Sequence, residues 1–96
     1  MTENTLFSIS AYTSILRERM HQSQQWGGDA GDDNNSSLDW IKFIDRQMGK
    51  LMHEGQQARD DNQYHEIIKS RLVKIAALSI AGIQSIERRK DDQVQV

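Results

Sequence analysis

Ninety-six residues fit one domain, and apolar side chains make up only 36% of them, below the roughly 45–50% of ordinary globular chains, a range that also counts Gly. The net charge of −2 gives no general electrostatic reason to bind nucleic acid. The absence of cysteine excludes disulfides and thiolate metal sites, and suits a reducing cytoplasm.

A chain this short leaves much of its surface exposed, so a lone monomer would be marginal and self-association would offset the deficit. Proline is absent, so long helices are easy to accommodate and a sheet has few turn signals. The opening Met1-Thr2-Glu3-Asn4 lacks a basic stretch followed by an apolar run. No stretch approaches the ~18 apolar residues that cross a bilayer. A cytoplasmic protein with no membrane contact is the expectation.

The first helix is predicted over about residues 5–24, with apolar positions Leu6, Ile9, Tyr12, Ile15, Leu16 and Met20 spaced by three and four. Phe7 lies off that stripe. Residues 25–36, from Gln25 through Trp26-Gly27-Gly28 to the Asp and Asn cluster, read as a loop because glycine and short polar side chains favour turns. The cluster of Asp29, Asp32 and Asp33 lacks the ligand order and closing Glu of an EF-hand, so a solvated, mobile loop is expected there.

The second helix is predicted over 37–54. Ser36 or Ser37 caps it, Asp39 sits near its positive end, and Gly55 stops it. Leu38, Ile41, Ile44, Met48, Leu51 and Met52 form its apolar stripe, and Arg46 and Lys50 stack on another face. Met20, Met48 and Met52 read as core filling. Trp26 and Trp40, which flank the loop, could stack on a base, but the commoner role is to anchor the loop to the core.

Asp60 or Asp61 caps the longest helix, predicted over 61–89, with a fraying tail over 90–96. Tyr64, Ile67, Ile68, Leu72, Ile75, Leu78 and Ile86 form one face, and Val73, Ala77 and Ile80 lie nearly opposite. A helix apolar on two sides needs neighbours on two sides. One chain supplies only two other helices, so a homodimer or larger homo-oligomer is expected. Arg71 falls within the apolar stripe, where an arginine needs a partner. Glu18, Asp45, Glu54 and Glu66 are the candidates. His21, His53 and His65 lack the spacing of a helical zinc pair.

Glu18-Arg19, then Gln22, then Trp26-Gly27 resembles a segment near the start of the MazG-like family, one of several fragments that together carry the likeness. Trp40 fits the tryptophan that opens its next helix, Met48-Gly49 keeps the frame of its Glu-Glu-x-x-Glu motif, and Arg71-Leu72-Val73-Lys74-Ile75-Ala76-Ala77 keeps the frame of its Glu-x-x-Asp motif and alanine pair. Ile86-Glu87-Arg88-Arg89 looks like its usual ending. The resemblance spans roughly residues 14–89. It implies an all-α fold in which a three-helix subunit with a long C-terminal helix pairs with a second subunit into a MazG-like helical bundle. It also implies a magnesium-dependent nucleoside triphosphate pyrophosphohydrolase.

The acids of that activity are missing. The first motif falls on Arg46, Gln47 and Lys50, and the second on Arg71 and Lys74. Asp45 is one residue out of register, a rotation of about 100° on a helix. Magnesium takes hard oxygen donors, whereas lysine and arginine only donate. The expected function is therefore a non-catalytic MazG-like binding or interaction module with no cofactor and no catalytic residue. Its ligand-binding positions would be Arg46, Lys50, Arg71 and Lys74, facing a phosphate-bearing molecule or an acidic protein. The alternative is a metal-dependent nucleoside triphosphate pyrophosphohydrolase with a rearranged acidic site built from Asp45, Glu54, Glu66 or a partner chain's acids, the one case that calls for Mg2+. Nucleic acid is disfavoured, since no basic stripe carries base-reading side chains.

Overall fold

A computed structural model describes the backbone of residues 9–94 and the side chains of residues 9–89. Its elements are α1 (Ile9–Trp26), α2 (Gly28–Asp33), α3 (Ser37–Gln56) and α4 (Asp61–Val94). The described chain is all-helical. No helix in it is long and apolar enough to cross a membrane.

Local signals place the two main helix starts. Ser36 Oγ accepts from the Asp39 amide at 3.2 Å, and the Ser36 amide donates to Asp39 Oδ2 at 2.9 Å, a reciprocal capping box. Asp60 Oδ1 accepts from the Gln63 amide at 2.8 Å and opens α4. The expected stop at Gly55 is corrected: α3 runs through it to Gln56. A Cβ there would lie 3.1 Å from the Tyr64 ring, so this glycine serves a close helix–helix approach rather than a C-cap.

Two further boundaries differ from expectation. The segment 25–36 contains the short helix α2 and is not one continuous loop. Gly27 and Gly28 turn into it with φ of 87° and 68°, values that glycine adopts without strain. Gly31 passes so close to the Trp26 carbonyl that an added Cβ would overlap its oxygen. The predicted fraying tail is helical through Val94. The expected first turn, with Leu6 and Phe7, lies outside the described residues.

The core is small and belongs to α3 and α4. Trp40 packs on Leu78 and Ala81, with Phe43 and Ile44 beside them. The Trp40 and Phe43 rings meet edge to face at 5.6 Å. Ala77, Ala81 and Gly82 keep this side of α4 shallow, and a Cβ on Gly82 would lie only 3.2 Å from Trp40 Cγ. Among the described residues, α1 and α3 each pack along α4, and Trp26 at the end of α1 meets Phe43 of α3. The two-sided pattern of α4 is thus partly used within one chain, with α2 tucked against α1 and α4, while Leu72 and Ile86 stay exposed.

The facing of α1 is a correction. Its buried residue is Gln22, while Ile9, Tyr12, Leu16 and Met20 are exposed. The fully buried Asp32 of α2 is paired with Arg19, and of the predicted stripe Ile15 is half-buried beside Leu72 and Val73 of α4. α3 is divided similarly. Ile44 and Leu51 are half-buried, but Leu38, Ile41, Met48 and Met52 are exposed. Met20, Met48 and Met52 are therefore not core filling: they are 63%, 43% and 66% exposed.

Candidate functional site

The four cations singled out by sequence lie on α3 and α4, which pack along one another. Arg71 reaches across from α4. Its Nε donates to Glu54 Oε1 and its Nη2 to Glu54 Oε2, both at 2.7 Å, and its Nη1 donates to Gln47 Oε1 at 2.9 Å. Three of its nitrogens are thus committed to two side chains of α3. The fork geometry suits a guanidinium and would be lost with lysine. Among the four carboxylates considered for Arg71, Glu54 is the one that holds it.

Glu54 is the electrostatic centre of this group. Its carboxyl is held below the usual carboxylate range, first by the Arg71 hydrogen bonds and then by the fields of Arg71, Lys74 and Lys50. Arg71 is correspondingly held above its ordinary value by Glu54. Lys50, Arg71 and Lys74 therefore share one acid. The negative charge of Glu54 offsets part of the repulsion among these cations.

Arg46 stands apart from the shared acid, on the wall of a cavity of about 430 Å³. Trp26 and Phe43 supply aromatic surface, their centroids 6.3 Å apart at 37°. Asn35, Gly31, Gln47 and Leu78 complete the lining. Because Gln47 Oε1 accepts from Arg71, its amide NH2 is the group left to meet a ligand. The cavity thus combines flat apolar walls, one guanidinium and an oriented amide donor. Such a set offers stacking surface and hydrogen-bond donors, and among the described lining residues no nucleophile stands beside a base.

The cavity was not legible in the sequence as a whole. Phe43, Asn35 and Gln47 were not expected to line a site with Trp26. Trp40, by contrast, is buried against α4 as an anchor, and Trp26 is 42% exposed.

Of the acids named for a rearranged metal site, Glu54 and Glu66 share a groove but Asp45 does not line it. Asp45 is exposed on α3, both oxygens of Glu54 accept from Arg71, and Glu66 lines a separate groove with Glu54 and Ser70. Among the described residues no three His, Cys, Asp or Glu side chains group closely enough to hold a metal ion. His21, His53 and His65 are exposed.

The aspartates of α2 are held by arginines instead of forming a solvated loop. Arg88 donates to Asp33 at 2.8 to 3.1 Å and lies 3.6 Å from Asp29. Ser85 Oγ donates to Asp33 Oδ1 at 3.0 Å, and Arg89 donates to the Asp33 carbonyl at 3.1 Å. The Asp33 carboxyl is lowered chiefly by its hydrogen bond to Arg88, with Ser85 and the charge of Arg89 adding to it. This ties one side of the cavity, where Gly31 and Asn35 lie, to the far end of α4. Compared with known protein families, with curated proteins and with solved structures, the chain matches none.

Proposed function

We propose that this chain is a non-catalytic MazG-like protein, a cytoplasmic binding module that takes a phosphate-bearing ligand and assembles as a homodimer or larger homo-oligomer. The observation that carries the reading is the joining of Arg46, through its neighbour Gln47, to the Arg71–Glu54 pair beside an aromatic cavity. In the MazG-like frame these positions would carry acids around a cation. Here Arg71 fills one of them as a structural fork and Arg46 offers a guanidinium to phosphate oxygens. The exposed face of Trp26, backed by Phe43, offers a planar group a surface to stack on.

Self-association is supported by what the fold leaves uncovered. Ile9, Tyr12, Leu16 and Met20 on α1, Leu38, Ile41, Met48 and Met52 on α3, and Leu72, Ile83 and Ile86 on α4 are all exposed. Monomers seldom present contiguous apolar patches above about 300–600 Å² without a partner. Metal-dependent hydrolysis is less well supported, because Glu54 would have to leave Arg71 before it could ligate an ion.

The test is thermal unfolding with pyrophosphate or a nucleoside triphosphate, each in the presence of a chelator. Binding stabilises by about 2.7 kcal/mol at a hundredfold excess over Kd, a rise on the order of 10 °C for a domain this size. Arg46→Glu should abolish the rise. No shift with any phosphate ligand, or release of pyrophosphate once magnesium is supplied, would overturn the reading.

A further inference from the structure

The outer face of α4 carries a second regular pattern that the subunit covers only in part, α1 lying along Leu72 and Ala76. Leu72, Ala76, Ser79, Ile83 and Ile86 follow one another at spacings of four, three, four and three. That is the ~3.5-residue period of a helix seam that pairs with another helix. Leu72, Ile83 and Ile86 are 52%, 58% and 37% exposed. The buried residues of α4, Ala77, Leu78, Ala81 and Ser85, lie on its other side and face the remaining helices. An apolar groove of about 300 Å³ between α1 and α4 runs beside the seam, lined on the α4 side by Lys69, Leu72, Val73 and Ala76.

We infer that this seam is where a second copy docks, with the two α4 helices antiparallel about a two-fold axis beside Ser79. The inference rests on the self-association proposed above and specifies its interface. The pattern is close to palindromic about Ser79. Under the two-fold, Leu72 meets Ile86 of the partner subunit, Ala76 meets Ile83 of the partner subunit, and Ser79 meets Ser79 of the partner subunit. Large residues thus lie at both ends of a contact about 21 Å long, at 1.5 Å per residue. Ala76 and Ser79 in the middle let the backbones approach closely. Each seam is isologous, as a two-fold requires.

Charge favours the same arrangement. Lys69 and Glu87 are both exposed and lie 18 residues apart, which is five full turns at about 3.6 residues each. They therefore share one flank of the seam. Antiparallel pairing brings Lys69 opposite Glu87 of the partner subunit, and the symmetry repeats the contact. The axial offset is about 3 Å, which a lysine side chain spans.

The other exposed stripes fit a two-fold seam less well. On α3 the sequence Leu38, Ile41, Asp45, Met48, Met52 is also regular, but Asp45 stands at its centre. The same antiparallel pairing would place two carboxylates against each other. The α1 stripe has no small residue at its middle, where Tyr12 and Leu16 stand.

The experiment uses the whole chain and its lack of cysteine. Ser79→Cys, mildly oxidised, should form a disulfide-linked dimer on a non-reducing gel, while Met52→Cys on α3 should remain mostly uncrosslinked. Ile83→Glu should shift the species seen by sedimentation equilibrium from dimer to monomer. Should Ile83→Glu fail to fold, the flank pair gives an independent reading. Lys69→Glu should weaken association by about threefold to tenfold, as two exposed ion pairs allow, and Lys69→Glu with Glu87→Lys should restore it. A dimeric wild type whose Ser79→Cys variant does not crosslink, and in which the charge exchange changes nothing, overturns the α4 seam but leaves self-association standing. A wild-type chain that is monomeric at tens of micromolar overturns both. Neither outcome touches phosphate binding, which the thermal shift reads separately.

Discussion

Arg71 and Glu54 lie 17 residues apart in sequence and meet through two hydrogen bonds of 2.7 Å each. The pair joins the end of α3 to the first half of α4, across the turn at residues 57–60. With Arg71 only 14% exposed, removing one partner leaves a poorly solvated guanidinium alone, whereas removing both leaves little to desolvate. Glu54→Ala should therefore lower the thermal midpoint by more than Arg71→Met with Glu54→Met does. A double-mutant cycle read by denaturant unfolding measures the coupling. Additive losses would mean the fork contributes nothing as a pair.

Acid should loosen the same contacts. Glu54 and Asp33 both have folded-state values below their ordinary ones, each chiefly because an arginine donates to the carboxylate. A depressed carboxyl adds stability above its unfolded value, and that stability is lost as pH falls through the folded value. The midpoint should thus stay level near neutrality and drop progressively below about pH 5, where free carboxyls begin to protonate. Asp33→Asn should be less stable at neutral pH and show a shallower acid slope. Thermal scans across that range check both features.

How far the sequence revealed these contacts depends on whether their cause was local. Ser36 and Asp39 form the predicted cap because all their partners lie within three residues. The capping of α4 by Asp60 was legible for the same reason. The inward face of α1 was not. Its periodicity places Tyr12, Leu16 and Met20 on a core-like stripe, but α1 turns inward Gln22 and Arg19, the latter paired with Asp32 13 residues away. Periodicity reports which residues share a face, not which neighbour that face meets. α2 was missed because its aspartates are stabilised by Arg88 and Ser85, more than 50 residues away. At the site, the need for a partner at Arg71 was readable from its position in an apolar stripe. The bond from Arg71 to Gln47, and hence the amide left for the cavity, required the packing of α3 on α4.

Two helical glycines should respond oppositely to alanine. Gly49 has nothing within 4 Å of an added Cβ, so Gly49→Ala should stabilise by about 0.5–1 kcal/mol through helix propensity alone. Gly82 faces Trp40 with an added Cβ at 3.2 to 3.4 Å from three of its atoms. The indole is 4% exposed and packed between Leu78 and Phe43, so it cannot yield freely. Gly82→Ala should therefore destabilise, the crowding outweighing the propensity gain, with overpacking costs of about 1–3 kcal/mol. Urea midpoints of the two variants give the comparison, and a stabilised Gly82→Ala would show that the Trp40 contact is loose.

Ligand binding should separate the two tryptophans. Trp26 is 42% exposed on the cavity wall, while Trp40 is 4% exposed in the core. Acrylamide should quench Trp26 and spare Trp40, so Trp26→Phe removes the accessible emission. A nucleotide seated against Trp26 and Phe43 should protect that emission in the wild type. Gln47→Leu keeps the cavity wall but removes the amide donor and frees Arg71 Nη1. Charge-assisted and ordinary hydrogen bonds to a ligand contribute about 0.5–3 kcal/mol each, so this variant should weaken protection by roughly threefold to a hundredfold. Inorganic pyrophosphate, which has no ring to stack, should raise the thermal midpoint without protecting Trp26. Equal protection by pyrophosphate and nucleotide would show that the aromatic wall takes no part in recognition.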